Sequence, residues 1–138
     1  MTAYLEHVQY VAPDLDALIG FYTRLFDWRL RGRGHERAAD RSYDWVHIGD
    51  DQSYLAFRSP YDGADYGPDL ALRQTHIGVV VLDLAAVIDR ARAEGAQVTL
   101  KPPHPSRLRA YLRDPAGHEI ELVQYLTADP RARHAYDD

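Results

Sequence analysis

One stretch of this chain occurs twice. HVQYVAPDLDALI beginning at His7 and HIGVVVLDLAAVI beginning at His76 align without a gap, sharing the leading His, a Val four residues on, an Asp-Leu pair, and the Ala and Ile that follow. Internal similarity decides architecture before local propensity does, because each copy is a unit that cannot bury its apolar face alone. In both copies a short stretch rich in β-branched residues predicts a strand, Asp14 or Asp83 predicts a helix cap, and apolar positions then recur at helical spacing. Leu18, Phe21, Tyr22 and Leu25 form that stripe in the first copy, and Leu84, Val87, Ile88 and Ala91 in the second.

Alternating stretches follow each helix and predict three more strands per copy. In the first they are Trp28 to Arg33, Tyr43 to Ile48 and Tyr54 to Ser59, with a polar loop around Gly34 to Arg41 and a tight turn at Gly49-Asp50-Asp51. In the second they are Val98 to Lys101, Leu108 to Arg113 and Glu119 to Tyr125, the last two joined by a type I turn at Asp114-Pro115-Ala116-Gly117. The expected fold class is therefore α+β, built from two βαβββ modules. Module one spans about 3–60, a Gly-, Pro- and Asp-rich linker 60–70, module two about 71–126, and a polar tail or dimer arm 127–138.

With 138 residues, one domain is expected and no second fits. The chain has no cysteine, which excludes thiolate metal sites and cysteine nucleophiles and leaves metal binding to His and carboxylate. A net charge of −5 argues against nucleic acid or an anionic membrane as partner. The N-terminal residues lack a basic targeting pattern, and the most apolar stretch, Ile77 to Leu82, is far too short to span a bilayer, so the expected location is cytoplasmic.

Period-two alternation sorts the strand side chains. Val8 and Tyr10 turn to the helix, leaving His7 and Gln9 opposite; Ile77, Val79 and Val81 leave His76 and Gly78 opposite; Ile120 and Leu122 leave Glu119, Glu121 and Val123 opposite. Two imidazoles and one carboxylate are the facial set that holds Fe(II) with open positions and equally suits Mn(II) or Ni(II). Any one of seven histidines is more often an ordinary hydrogen-bonded residue, but two at equivalent places in a repeat can approach one another near a pseudo-symmetry axis. By the same alternation Trp45, Tyr54, Arg58, Arg109 and Tyr111 line the non-helical side, an aromatic and basic wall. The two arginines there fit carboxylate, phosphate or phenolate groups of a substrate, or else pair with acidic residues at the rim.

The double βαβββ pattern, a His opening each copy, and Arg-Asp-Pro-Ala-Gly-His-Glu-Ile-Glu running to Glu121 resemble the vicinal oxygen chelate superfamily, which includes glyoxalase I, fosfomycin-resistance thiol transferases, bleomycin-binding proteins, methylmalonyl-CoA epimerase and extradiol dioxygenases. The resemblance covers almost the whole chain. It implies modules paired into a cup of curved mixed sheet, a divalent metal on His7, His76 and Glu121, a small-molecule substrate, and a homodimer whose cups take one module from each copy. Glyoxalase-like members add a carboxylate ligand on the fourth strand; Ala56 holds that place here, which argues against glyoxalase I or epimerase chemistry.

A narrower resemblance, to the extradiol signature, covers His104, Tyr111, Asp114-Pro115-Ala116-Gly117 and Glu121, with Ala110 in place of a large apolar residue and Pro102 two residues before the His. It implies that His104 and Tyr111 contact substrate and bound oxygen. Extradiol enzymes also carry an acid/base His before a strand like Tyr54-Leu55-Ala56-Phe57, where this chain has Gln52 and Ser53. His47 on the adjacent strand is the candidate substitute, or a wall residue. The leading expectation is thus a dioxygenase-like oxidoreductase with Fe(II), with Mn(II), Ni(II) or Zn(II) as other ions. The alternatives are a Mn(II)-dependent thiol transferase of the fosfomycin-resistance type and a metal-free antibiotic-binding protein.

Overall fold

The structure is a computed structural model and describes residues 5–67 and 76–135. The proposed starts of module one at 3 and module two at 71, the 68–70 end of the linker and the last three tail residues lie outside the described residues. Asp14 and Asp83 each open a helix: their carboxylates accept from Ala17 N–H and Ala86 N–H, both at 3.1 Å. Each satisfies one of the donors that a first helical turn leaves without an internal partner.

The first module runs β1 (His7–Val11), α1 (Leu15–Phe26), β2 (Arg29–Ala38), β3 (Arg41–Gly49) and β4 (Tyr54–Arg58). The second runs β5 (His76–Val80), α2 (Leu84–Ala93), β6 (Thr99–Leu100), β7 (Arg107–Arg113) and β8 (Glu119–Tyr125), followed by a short α3 (Pro130–Arg133). The sheets are ordered β1-β4-β3-β2 and β5-β8-β7-β6, and in each the leading strand lies parallel to the last. The connectivity is therefore the same twice, an α+β fold of two four-stranded mixed sheets. The chain divides into two compact units, one of residues up to 74 with the 115–117 turn, the other of the remainder.

Both predicted helical stripes are buried. In the first module Leu18, Phe21, Tyr22 and Leu25, joined by Leu15, meet Val46, Ile48, Leu55 and Phe57 on the helix side of the sheet. Tyr22 anchors an aromatic cluster, with ring centroids 5.6 Å from Phe57 and 6.0 Å from Trp28. In the second module Leu84, Val87, Ile88 and Ala91 cover Ala110, Leu112, Ile120 and Leu122, an aliphatic core. Burying each such large side chain stabilises the fold by roughly 1.5–3 kcal/mol before entropy is counted. Every apolar residue assigned to the helix side of β3, β4, β7 and β8 is buried.

Three local expectations change. The polar loop around Gly34 to Arg41 is instead the far half of a hairpin: β2 continues to Ala38 and β3 starts at Arg41 across a two-residue turn. Its polarity reflects an edge strand open to solvent, held in register by the His35–Asp44 pair at 2.8 Å and by the Trp45 indole lying over Gly34, where a Cβ would come within 2.8 Å of the ring. The strand Val98 to Lys101 shortens to Thr99–Leu100. The tail residues described fold back on their own module, with Arg133 over the Tyr125 ring at 4.6 Å and Arg107 Nη1 donating to Ala135 O at 2.8 Å. Of the linker, Tyr61–Gly63 forms a single 3₁₀ turn.

A turn at Pro115 and Ala116 joins β7 to β8, with Gly117 at φ 90°. A feature the sequence reading missed closes it. Asp114 N–H donates to His118 O, His118 N–H donates back to Asp114 Oδ1, and His118 Nδ1 lies 2.9 Å from Asp114 Oδ2, all buried. The hairpin between β7 and β8 is thereby fixed just before Glu119 and Glu121.

Candidate metal centre

In the second module β5 and β8 pair in parallel, His76 opposite Glu119 and Gly78 opposite Glu121. All four therefore share the face turned away from α2. His76 Nε2 stands 3.2 Å from Glu121 Oε2, and its Nδ1 stands 3.5 Å from Glu119 Oε1. Two donor atoms at about 3 Å fit one ion bound at about 2.1 Å from each. The donor chemistry, imidazole nitrogen beside carboxylate oxygen, suits a first-row divalent cation.

Tyr111 is directly opposite Glu121 on β7. Its hydroxyl hydrogen-bonds Glu121, and burial, then the Glu121 charge, push the phenol above its ordinary range. At neutral pH it is a hydrogen-bond donor. Its ring meets His76 edge-on at 5.8 Å, and Lys101 lies over it at 5.5 Å. Arg109 is on the same strand face, and its charge favours the phenolate.

The first module offers a different arrangement at the matching places. His7 is opposite Tyr54 and Gln9 opposite Ala56, so Ala56 stands where β8 carries Glu121. Ala56 is buried and offers no side-chain donor. His47 pairs across β3 and β4 with Ala56, and its ring lies 4.6 Å from Trp45 and 4.5 Å from Tyr54. Burial, then the nearby His7 and Arg31 charges, hold its imidazole below the usual histidine range, so it stays neutral. Tyr54 in turn stacks on His7 at 4.7 Å and lies under the Arg31 guanidinium at 4.2 Å. His7 Nδ1 meets Glu6 Oε1 at 2.9 Å.

The structure thus gathers His76, Glu121 and Tyr111 in one module and His7, His47, Tyr54 and Trp45 in the other. Among the described residues, neither module by itself brings three His, Asp or Glu side chains into one metal-binding group. His104 belongs to a separate network: its Nδ1 accepts from Ser106 N–H at 3.1 Å and lies 2.8 Å from Ser106 Oγ, in the turn bridged by His104 and Arg107. Arg58 points along the expected face, but its guanidinium lies 3.8 Å from the Tyr61 ring centre and donates to Ser59 O at 3.1 Å. A cavity of about 750 Å³ in the first module is lined by Tyr43, Asp44, Pro60, Asp62 and Tyr66, and none of the candidate ligands lines it.

The sequence profile of the Glyoxalase/Bleomycin resistance protein/Dioxygenase superfamily matches residues 4–122. The chain belongs to this superfamily. A lactoylglutathione lyase of Arabidopsis thaliana is 27% identical over 122 residues, 86% of this chain; the chain spans only 43% of that plant protein's length. A probable lactoylglutathione lyase of Vibrio parahaemolyticus is 28% identical over 121 residues, covering 86% of this chain and 88% of the relative. Among solved structures, a glyoxalase family protein from Bacillus cereus superposes with a TM-score of 0.73 at 18% identity, over 92% of this chain and 97% of that one, which shows the shared superfamily fold. The Arabidopsis and Vibrio relatives are lyases by name and give no support to oxygenation or to a preference for iron. Among the described residues no helix is long and apolar enough to cross a membrane.

Proposed function

We propose that this chain is a divalent-metal-dependent enzyme acting on a small substrate that chelates through adjacent oxygens, with His7, His76 and Glu121 as the metal ligands. The observation that carries this reading is the second module's His76 Nε2 to Glu121 Oε2 distance of 3.2 Å, with the Tyr111 hydroxyl hydrogen-bonded to the same carboxylate. The complete ligand set is proposed to form in a homodimer that joins one module from each copy, since among the described residues neither module alone gathers three His, Asp or Glu side chains.

A bound divalent ion would supply Lewis acidity toward the substrate oxygens. Around it, the chain's own residues handle protons. His47, held neutral, accepts a proton from a substrate carbon or hydroxyl. Tyr111, held protonated, gives its one hydroxyl proton to Glu121 in this structure; with that carboxylate engaged by an ion, the proton would turn to a substrate oxygen on which negative charge develops. Trp45 and Tyr54 give the substrate an aromatic wall, and Arg109 is the arginine proposed to meet an anionic group. This division of labour fits proton transfer of a lyase kind, the class that the relatives' names carry. With Ala56 at the fourth-ligand place, His47 takes over as base, and the substrate is expected to differ from lactoylglutathione.

Oxygenation is the second reading, and the direct Tyr111–Glu121 pairing inside the extradiol-like stretch favours it. That reading needs Fe(II) and needs His104 at the substrate; proton transfer is served by Zn(II), Ni(II), Mn(II) or Fe(II) alike. The protein loaded separately with each of these ions is assayed for turnover of lactoylglutathione and a panel of hydroxy-acids, enediols and catechols, with oxygen uptake recorded. Metal-dependent turnover without oxygen consumption supports the lyase reading, and oxygen uptake confined to the Fe(II) protein replaces it with the oxygenase. Failure to retain any of the four ions rejects metal dependence and leaves a small-molecule binding protein.

A further inference from the structure

We propose that Glu6 is a positioning residue for His7, fixing its ring plane and tautomer so that Nε2 is the nitrogen left to bind an ion. The proposal rests on the reading of His7 as a metal ligand. Glu6 lies one residue before β1, and its backbone carbonyl accepts from Tyr54 N–H at 2.9 Å, which locks it in register with β4. Its carboxylate meets His7 Nδ1 at 2.9 Å and also hydrogen-bonds the Tyr54 hydroxyl. The Tyr54 ring stacks on the imidazole at 4.7 Å with only 12° between the planes. Stacking therefore sets the plane of the His7 ring, and the carboxylate sets its rotation within that plane.

An imidazole that donates Nδ1–H to a carboxylate keeps its lone pair on Nε2, the arrangement that orients metal-binding histidines. The second module reaches the same environment by another route. There Glu119 Oε1 lies 3.5 Å from His76 Nδ1 while Nε2 faces Glu121. Tyr54 holds in β4 the place that Glu119 holds in β8, each directly opposite the leading histidine. With no carboxylate at that place, the first module brings one from Glu6, and the Tyr54 hydroxyl helps to hold it. The repeat equivalent of Glu6 is Thr75, so this device belongs to one module only. Both Glu6 and His7 are about half exposed, and an exposed pair of this kind contributes little to folding. Its geometry, rather than its contribution to stability, is what the test must read.

The test uses the full chain, labelled with ¹⁵N, in the metal-free state and then in chelator competition with Zn(II), Ni(II), Mn(II) and Fe(II). In the native protein the His7 ring is expected to show the Nδ1–H form. Glu6→Ala is expected to shift it toward Nε2–H and to weaken metal binding about 10- to 100-fold, with an unchanged circular dichroism spectrum. Glu6→Gln, which keeps a carbonyl acceptor, is expected to hold the Nδ1–H form and recover most of the affinity. An Nε2–H form in the native protein, or a tautomer ratio that Glu6→Ala leaves unchanged, overturns the proposal. An Nδ1–H form that depends on Glu6 in a protein that retains no ion upholds the positioning and rejects His7 as a ligand.

Discussion

In the second module the leading histidine faces a carboxylate on the last strand two residues beyond its own cross-strand partner, and in the first module that place is Ala56. The helix-facing sides of the two sheets are interchangeable in kind: β-branched and large apolar residues under an amphipathic helix capped by Asp. The other sides have diverged. One module carries His, Glu and Tyr in mutual contact; the other carries two histidines that both meet the Tyr54 ring, with its carboxylate taken from outside the strand. Because strand side chains alternate, the core of each module is insensitive to what its open face does. A repeat can then keep its fold while its copies take different chemical duties: in the proposed reading Glu121 would hold an ion and His47 would move a proton.

The sharpest break of this comparison removes the carboxylates. Glu121→Ala is expected to abolish retention of any divalent ion, with loss of turnover to background, because it deletes a proposed ligand. In elemental analysis and chelator competition it should far exceed Glu6→Ala, which only weakens binding. Equal effects of the two would erase the distinction between ligand and positioning group.

Core truncations test whether the two helix-facing sides are as independent of the sites as the alternation implies. Phe57→Ala, fully buried against Tyr22, is expected to destabilise by about 3–5 kcal/mol, and Leu122→Ala in the aliphatic core by about 2–5 kcal/mol. Denaturant melts measure both. At temperatures where the variants remain folded, metal affinity should match the native protein; a loss there would show that the open face depends on the core packing beneath it.

The two tyrosines that face the histidines sharpen the comparison at the next scale down. Tyr111→Phe is expected to lower kcat about 100-fold with little change in metal affinity, because it deletes a donor aimed at developing charge. Tyr54→Phe keeps the ring stacked on His7 and is expected to change kcat much less. Steady-state kinetics on the metal-loaded protein decide it, and a Tyr54→Phe loss as large as that of Tyr111→Phe would place the reacting oxygen in the first module.

Period two made much of this legible in the sequence. The faces of Glu121, Tyr111 and Trp45 followed from the buried partners beside them, those of His7 and His76 from half-buried apolar neighbours, and the Asp14 and Asp83 caps from the helical spacing after them. Residues 34–41 were unreadable as strand because an edge strand open to solvent has no buried side to impose alternation, and Gly34 looks like a turn residue until Trp45 is seen lying over it. Glu6 was missed for a related reason: alternation sends neighbours to opposite faces, whereas a residue just before a strand is free to swing its side chain to the next residue's ring. The Asp114–His118 pair had a readable signal, an Asp and a His four apart across a Pro-x-Gly turn, but a charged stretch conceals how deeply both are buried. No spacing rule could show that Arg58 lies on Tyr61, since the partner comes from the linker.

The smallest expected effect separates the modules by pH. In the first, burial and then the His7 and Arg31 charges lower the His47 pKa below its ordinary 6.5, while Glu6 works weakly in the opposite direction. As pH falls below about 6.5 the unfolded chain takes up this proton first, so protons bound in the unfolded state exceed those bound in the native state and stability rises with pH in that window. The His47 contribution is therefore complete above 6.5 and is lost as pH falls through the depressed native value. Tyr111 in the second module has the opposite sense: its pKa is raised above 10.0, so its contribution is complete at neutral pH and is lost only as the pH rises through the raised native value. His47→Gln, which does not titrate, should flatten the acid side of a stability profile taken by denaturant melts and leave the alkaline side as it is. The same variant should delete the acid limb of kcat/KM, which in the native protein lies below pH 6.5 if His47 is the base. A limb that survives in His47→Gln would assign the base to another residue, while an unchanged stability profile would show that the imidazole is solvated in the folded chain.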